Sequence, residues 1–212
     1  MKKGRIGYVA VAALCLGLTV LSACGKDAEK PPKQNDKTSE SQVEIASEGL
    51  SYELSASGEY YILTGIGTCK DVDVIVPSAY NGAPVKEIGV SAFEQCQQLT
   101  SITLGANVTK IGGMAFFRCN ALTSVQMNDS LQRLEDGAFW GCKALKELSL
   151  PSSLTFIGAQ AFFQCGVTSV VFGACDGWTA GNVAVDRSAL NDPKTAAEYL
   201  SDNFLGVEWK RG

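Results

Sequence analysis

The sequence predicts a repeat solenoid of about five 23-residue coils with parallel strands, closed by an N-terminal hairpin and a C-terminal helical cap. Three observations predict it. Ala92-Phe93-Glu94-Gln95-Cys96 returns as Ala115-Phe116-Phe117-Arg118-Cys119, Ala138-Phe139-Trp140-Gly141-Cys142 and Ala161-Phe162-Phe163-Gln164-Cys165, each copy 23 residues after the last. Upstream of each copy, paired apolar positions repeat in register: Val85 and Ile88, Val108 and Ile111, Leu131 and Leu134, Leu154 and Ile157. Downstream, a third set follows as Leu99, Ile102 and Leu104, then Leu122, Val125 and Met127, then Leu145, Leu148 and Leu150. The fourth copy drops one residue after Cys165 and reads Val167, Val170 and Phe172. A unit this short cannot hide its apolar positions alone. Coiling turns them inward, and stacking merges them into one core.

In chain order, the first element is an address. Lys2, Lys3 and Arg5 precede an apolar run from Ile6 to Leu21 that ends in Leu21-Ser22-Ala23-Cys24. A basic start, a short apolar stretch and small residues before a cut describe an export signal over residues 1–23. Cysteine after Leu-Ser-Ala resembles a bacterial lipobox, in which the Cys24 thiol carries a diacylglycerol; an uncleaved N-terminal anchor is the alternative. Cleavage would remove three of the 18 basic residues and none of the 22 acidic ones, so attachment would rest on the acyl chains. The expected location is the bacterial cell envelope, lipid-anchored, extracytoplasmic or at the cell surface. Residues 24–48 combine charges, Pro31-Pro32, Ser and Gln, a composition that reads as a flexible tether.

Residues 49–84 read as the N-terminal cap and first coil. Tyr52-Glu53-Leu54, a Ser57-Gly58 turn and Tyr60-Tyr61-Ile62-Leu63 form a hairpin pattern. Cys69, Val74 and Val76 then give a partial first copy, and Tyr80-Asn81-Gly82 marks a turn. The repeats occupy 85–173. Alternation around Ser101-Ile102-Thr103-Leu104 puts Ile102 and Leu104 inside a strand, so five strands are expected at Val74, Ile102, Val125, Leu148 and Val170. Each Ala-Phe-x-x-Cys stretch is expected to make a tight helical turn. Gly89, Gly112 and Gly158 are expected to bend the chain, with Glu135 at the same place in the third repeat. Residues 174–212 read as the C-terminal cap. Asn182 to Val185 suggests a strand, and Asp192-Pro193 a helix start carrying Ala196, Tyr199, Leu200 and Phe204 on one face. A small appended binding element is the alternative for this tail.

The Ile-Gly…Ala-Phe-x-x-Cys…Leu-x-x-Ile-x-Leu pattern, over about residues 50 to 172, resembles the BspA-like leucine-rich-repeat family of bacterial surface lipoproteins. That resemblance implies a right-handed leucine-rich-repeat coil and an exported protein of adhesion or protein–protein contact. It is nearly silent about the ligand.

Composition excludes several chemistries. The 212 residues contain no histidine, which removes Ser-His-Asp and Cys-His catalysis and histidine zinc sites. A net charge of −4 argues against a nucleic-acid surface. No C-x-x-C pair or phosphate loop is present, and Glu87, Glu94, Asp129, Glu135, Asp136 and Glu147 are scattered over different phases. No enzyme, cofactor or metal is expected. Cys96, Cys119, Cys142 and Cys165, topped by Cys69, should form a column of free core thiols. The candidate binding surface is the aligned row Phe117, Trp140 and Phe163, together with the strand-face residues Ser101, Thr103, Ser124 and Gln126; the alternative for the three rings is that they cover the turn side of the core. The column Glu87, Lys110, Arg133 and Phe156 reads as a solvated face. The expected function is an interaction module for an extracellular protein or glycan. The alternative is a structural envelope scaffold, which an exposed apolar patch around Trp178 or Trp209 would favour.

Overall fold

The computed structural model describes residues 45–204 and 206–212; the expected export signal, Cys24 and most of the expected tether lie outside the described residues. The chain forms a β-solenoid of about five turns. β1 (Ser51–Leu54) and β2 (Tyr61–Gly65) make the antiparallel hairpin, turned by a Gly58 N–H donating to the Ser55 carbonyl at 2.9 Å. β3 (Asp73–Ile75) starts the first ladder, and β4 (Ala79–Tyr80) pairs with β5 (Ala83–Ile88) around the Asn81-Gly82 turn. The coils then alternate β6 (Ser101–Thr103), β7 (Lys110–Ile111), β8 (Ser124–Gln126), β9 (Arg133–Leu134), β10 (Glu147–Leu150), β11 (Phe156–Ile157) and β12 (Ser169–Phe172). All five expected strands are present. Ser47, placed in the tether by composition, already donates its backbone N–H to the Ile75 carbonyl at 2.9 Å, so the folded part begins before Leu50.

A second ladder runs along the coils. β2, β5, β7, β9 and β11 pair in parallel as the backbone of a ten-stranded sheet, through pairs such as Ile88↔Ile111 and Ile111↔Leu134. The repeated Ile and Leu positions upstream of each Ala-Phe are its buried residues. On its outer face Glu87 pairs with Lys110 at 3.2 Å. The expected solvated column fails at Phe156, which is 8% exposed because the Arg133 guanidinium lies 3.9 Å from its ring centroid.

The Ala-Phe-x-x-Cys stretches are not helical turns. In every copy two residues take left-handed backbone conformations: Ser91 and Gln95, Met114 and Arg118, Gly137 and Gly141, Gln160 and Gln164, with φ between 54° and 80°. The N–H groups then alternate in destination. In the second copy Ala115, Phe117 and Cys119 close their own turns onto Gly112, Met114 and Phe116, at 3.0 to 3.2 Å. Met114, Phe116 and Arg118 donate instead to the next coil, onto Asp136, Ala138 and Trp140, at 2.7 to 3.0 Å. The result is a third inter-coil ladder, built from turns.

That ladder explains the glycines. Gly89, Gly112 and Gly158 do not supply the left-handed bend, which lies two residues further on. They are where backbones touch. A Cβ on Gly112 would sit 2.8 Å from the Gly89 carbonyl carbon, and one on Gly158 would collide with the Asp136 backbone nitrogen. Inside, the rings of Phe93, Phe116, Phe139 and Phe162 stack nearly parallel, with centroids 5.2, 5.0 and 5.6 Å apart.

The first ladder is discontinuous. β3, β6 and β8 form one sheet, and β10 and β12 another, with no pairing between β8 and β10. Beside the break, the Asn128 side-chain amide donates to the carbonyls of Gly105 (2.6 Å) and Val108 (3.0 Å), tying its loop to the preceding coil. Pro151 holds the equivalent place in the next coil and has no N–H to continue the chain of bonds.

The tail closes both ladders. β13 (Trp178–Ala180) pairs with β14 (Val183–Ala184) and with β15 (Trp209–Arg211), and β15 pairs antiparallel with β11. The expected single helix is two short ones, α1 (Arg187–Asn191) and α2 (Pro193–Glu198), followed by a π-helical turn at Tyr199–Asn203. Asp192 ends the first and caps the second, accepting from the Thr195 N–H at 2.8 Å, with Pro193 at the first helical position. Leu190, Ala196, Ala197 and Leu200 are buried, and both helices pack against β12.

Gly112→Ala should cost about 1–3 kcal/mol, because the new methyl group forces two backbones apart. Met114→Gly should stabilise by about 1 kcal/mol by relieving a left-handed side chain. Urea unfolding checks both, and opposite signs at two positions so close together are the expected result.

Candidate binding surface

The three ring residues follow directly from the turn ladder. Each follows an inward-pointing Phe, so its side chain emerges on the outer side of the same turn. Phe117, Trp140 and Phe163 are half-buried. Their rings meet edge to face, with centroids 5.7 Å apart between Phe117 and Trp140 and 5.0 Å between Trp140 and Phe163. Such pairs hold one another beyond simple burial. Their backbones are fixed too. The carbonyls of all three accept from the preceding coil, from Gln95 N–H (2.7 Å), Arg118 N–H (2.7 Å) and Gly141 N–H (2.8 Å).

The third coil carries glycine at both left-handed positions, so Trp140 has no bulky neighbours of its own. The space is taken from the coil before. Arg118 Cγ lies 3.1 Å from where a Gly141 Cβ would be, and Met114 Cγ lies 3.5 Å from that of Gly137. The Arg118 guanidinium carbon sits 5.0 Å from the Phe117 ring centroid. Glu94, exposed, ends the row on the N-terminal side.

The strand-face residues divide. The Ser101 hydroxyl is committed: it donates to Asp73 Oδ1 at 2.7 Å, and Thr100 donates to the same oxygen at 2.6 Å. These bonds hold the Asp73 carboxyl below the usual carboxylate range, the Ser101 bond foremost. Thr103 is half-buried on β6. Ser124 and Gln126 are exposed and, with Glu147 and Ser149, line a crevice of about 430 Å³ where the sheet divides. Val125, the strand residue beneath, is half-buried, whereas its counterparts Val74, Ile102, Leu148 and Val170 are buried.

The cysteines do more than fill space. All six described cysteines are free thiols. Cys119 Sγ donates to the Phe93 carbonyl at 2.9 Å, Cys142 Sγ to Phe116 at 3.1 Å and Cys165 Sγ to Phe139 at 2.8 Å. Each of those carbonyls also accepts an N–H from its own turn, so both lone pairs are used. Cys69 and Cys96 stand at the open end, where Ile66 and Leu99 join them around a cavity of about 400 Å³. Burial pushes the Cys119 thiol up to about 12. Cys142 is also pushed up, chiefly by the neighbouring Cys165 thiol and by burial. Sequence spacing indicated neither the thiol acceptors nor Cys175, whose sulfur lies 3.7 Å from both the Phe172 and Leu190 carbonyls.

A polar depression of about 530 Å³ lies between β15 and the coils. Its carboxylates are engaged: Glu135 with Arg133 at 2.9 Å, Glu208 with Lys210 at 2.8 Å, and Asp136 with the Ala159 N–H at 2.9 Å. Trp178 and Trp209 are 2% and 1% exposed, while Val183 and Val207 beside them are exposed. Among the described residues, no three His, Cys, Asp or Glu side chains gather as metal ligands.

Residues 76–176 match the family described as BspA type leucine rich repeat region, in six copies. Among solved structures, the chain is similar to the T. pallidum leucine-rich repeat protein, with 26% identity over 59% of this chain and 70% of that one, and a TM-score of 0.50. A leucine-rich repeat protein from Bacteroides capillosus is 25% identical over 61% of this chain and 98% of its own, at a TM-score of 0.55. One from Bacteroides ovatus is 26% identical over 61% and 37% respectively, at 0.52. No match was found among curated proteins.

The raised thiols fix a pH dependence. An unfolded cysteine loses its proton near 8.5, whereas folded Cys119 keeps it to about 12. Folding is therefore fully supported below about pH 8.5 and loses that support as pH rises towards 12. The melting temperature should fall between pH 8 and 11, and the slope should flatten in Cys119→Ala; parallel slopes would contradict this.

Proposed function

We propose that this chain, whose residues 76–176 match the BspA type leucine rich repeat region, is a lipid-anchored interaction module presenting its repeat surface to a protein or glycan outside the inner membrane. The ring row carries the reading. Three half-buried aromatic side chains on adjacent coils, pinned by backbone bonds, form the kind of rigid apolar anchor on which binding energy concentrates. The basic start, the short apolar run and Leu21-Ser22-Ala23-Cys24 support the anchor and the address. Acyl chains on Cys24 would hold the protein at the membrane, and the polar stretch before Ala46 would space the coils from it. The module works without chemistry of its own.

Two experiments test this. Cys24→Ser should abolish labelling by a radioactive fatty acid; retained labelling would contradict the lipid anchor. On arrays of extracellular proteins and glycans, alanine at Phe117, Trp140 and Phe163 should weaken the bound ligand at least about tenfold. Unchanged affinity would place the contact elsewhere, and the absence of any ligand would overturn the module reading.

A further inference from the structure

We propose that the ring row seats a linear, carboxylate-bearing polysaccharide lying along the solenoid axis, one sugar per coil. This rests on the interaction-module reading and names its partner class.

Spacing is the first argument. The rings repeat at 5.7 and 5.0 Å. A pyranose unit in a linear chain is about as long as one coil is tall, so successive sugars meet successive coils, over a ring face and a ring edge in turn because neighbouring rings stand at 81° and 66° to one another. An extended peptide advances roughly 3.3 Å per residue and returns a side chain to the same face after roughly 6.6 Å. It falls out of register across three rings. Sugar rings also carry apolar C–H faces that pack on aromatic side chains, while their hydroxyls need polar neighbours. Here those are Gln95, Arg118 and Gln164, exposed at equivalent positions beside the row.

Charge is the second. The chain has a net charge of −4, yet the turn segments 114–121, 137–144 and 160–167 hold Arg118 and Lys143 and no Asp or Glu; the one carboxylate of the row, Glu94, lies a coil before Phe117 and accepts from the Gln95 side-chain amide at 3.3 Å. Among the described residues neither cation forms an ion pair. Arg118 lies against the Phe117 ring with its fork of donors uncommitted to any carboxylate. A carboxylate on the sugar bound over Phe117 and Trp140 completes it. A partner's α-helix, with its pitch of about 5.4 Å, also matches the ring spacing. Its apolar face, however, offers no hydrogen-bonding groups to Arg118 and Gln164 beside the row.

The test is calorimetric titration of the full chain, at low salt, with the β-1,4-linked mannuronate hexamer, its neutral counterpart mannohexaose, and an acidic amphipathic helical peptide. The mannuronate hexamer should bind, and shortening it below three sugars should weaken it. Trp140→Leu, which keeps an apolar side chain in the turn, should lower its affinity about tenfold. Arg118→Gln, which places in the second coil the residue that Gln95 and Gln164 already supply in others, should lower affinity for mannuronate and not for mannohexaose. Absence of mannuronate binding, equal binding of mannohexaose, or indifference to both substitutions would overturn the proposal. Binding of the helical peptide alone, lost in Trp140→Leu, would overturn it and leave the interaction-module reading standing.

Discussion

One carbonyl per coil organises this molecule. The Phe93, Phe116 and Phe139 carbonyls each accept an N–H from their own turn and a thiol from the next coil. Satisfying both lone pairs inside the core requires successive turns to lie close enough for backbones to touch. That closeness suits glycine at 112 and 158, where a Cβ would meet the neighbouring backbone, although the third coil accommodates Glu135 at the equivalent place. It also selects cysteine, a small apolar residue with a weak donor, over serine, whose stronger need for partners would be harder to satisfy in the core. The alternation of right- and left-handed residues follows. It aims every second N–H along the axis, at a cost of about 1 kcal/mol or more for each non-glycine residue held there.

The same ladder produces the outer surface. A turn that buries one Phe must expose the next residue, and stacking turns places those residues in a row. The row is rigid because its carbonyls are tied to the preceding coil. Its chemistry varies along the axis: Glu94 at one end, three rings beyond it, and a gap at Gly137 and Gly141 into which Met114 and Arg118 lean. A recognition surface therefore arises from positions that do not determine the fold, beside positions that do.

The coil period, the five strands of the first ladder, the hairpin and the Asp192-Pro193 helix start were legible because each rests on apolar spacing or on turn and cap residues. The second ladder was not. Lys110-Ile111 and Arg133-Leu134 are two residues long, too short for alternation to show. β15 is a three-residue strand defined by its partners in β11 and β13, and local sequence carries no trace of that pairing. At the candidate surface, the alignment of Phe117, Trp140 and Phe163 was readable from the period alone. The capture of Ser101 by Asp73 and the tie of the Asn128 loop to the preceding coil depend on contacts across coils, which spacing does not encode.

Native-state hydrogen exchange on the turn amides tests the central constraint most directly. If the turns hold the coils together, the N–H groups of Phe116, Arg118, Phe139 and Gly141 open only when the whole domain unfolds, and they share the slowest exchange with the buried strand residues. Exchange of these four amides at the rate of surface loops, while the strands stay protected, would mean that the turns merely decorate a stack held by something else.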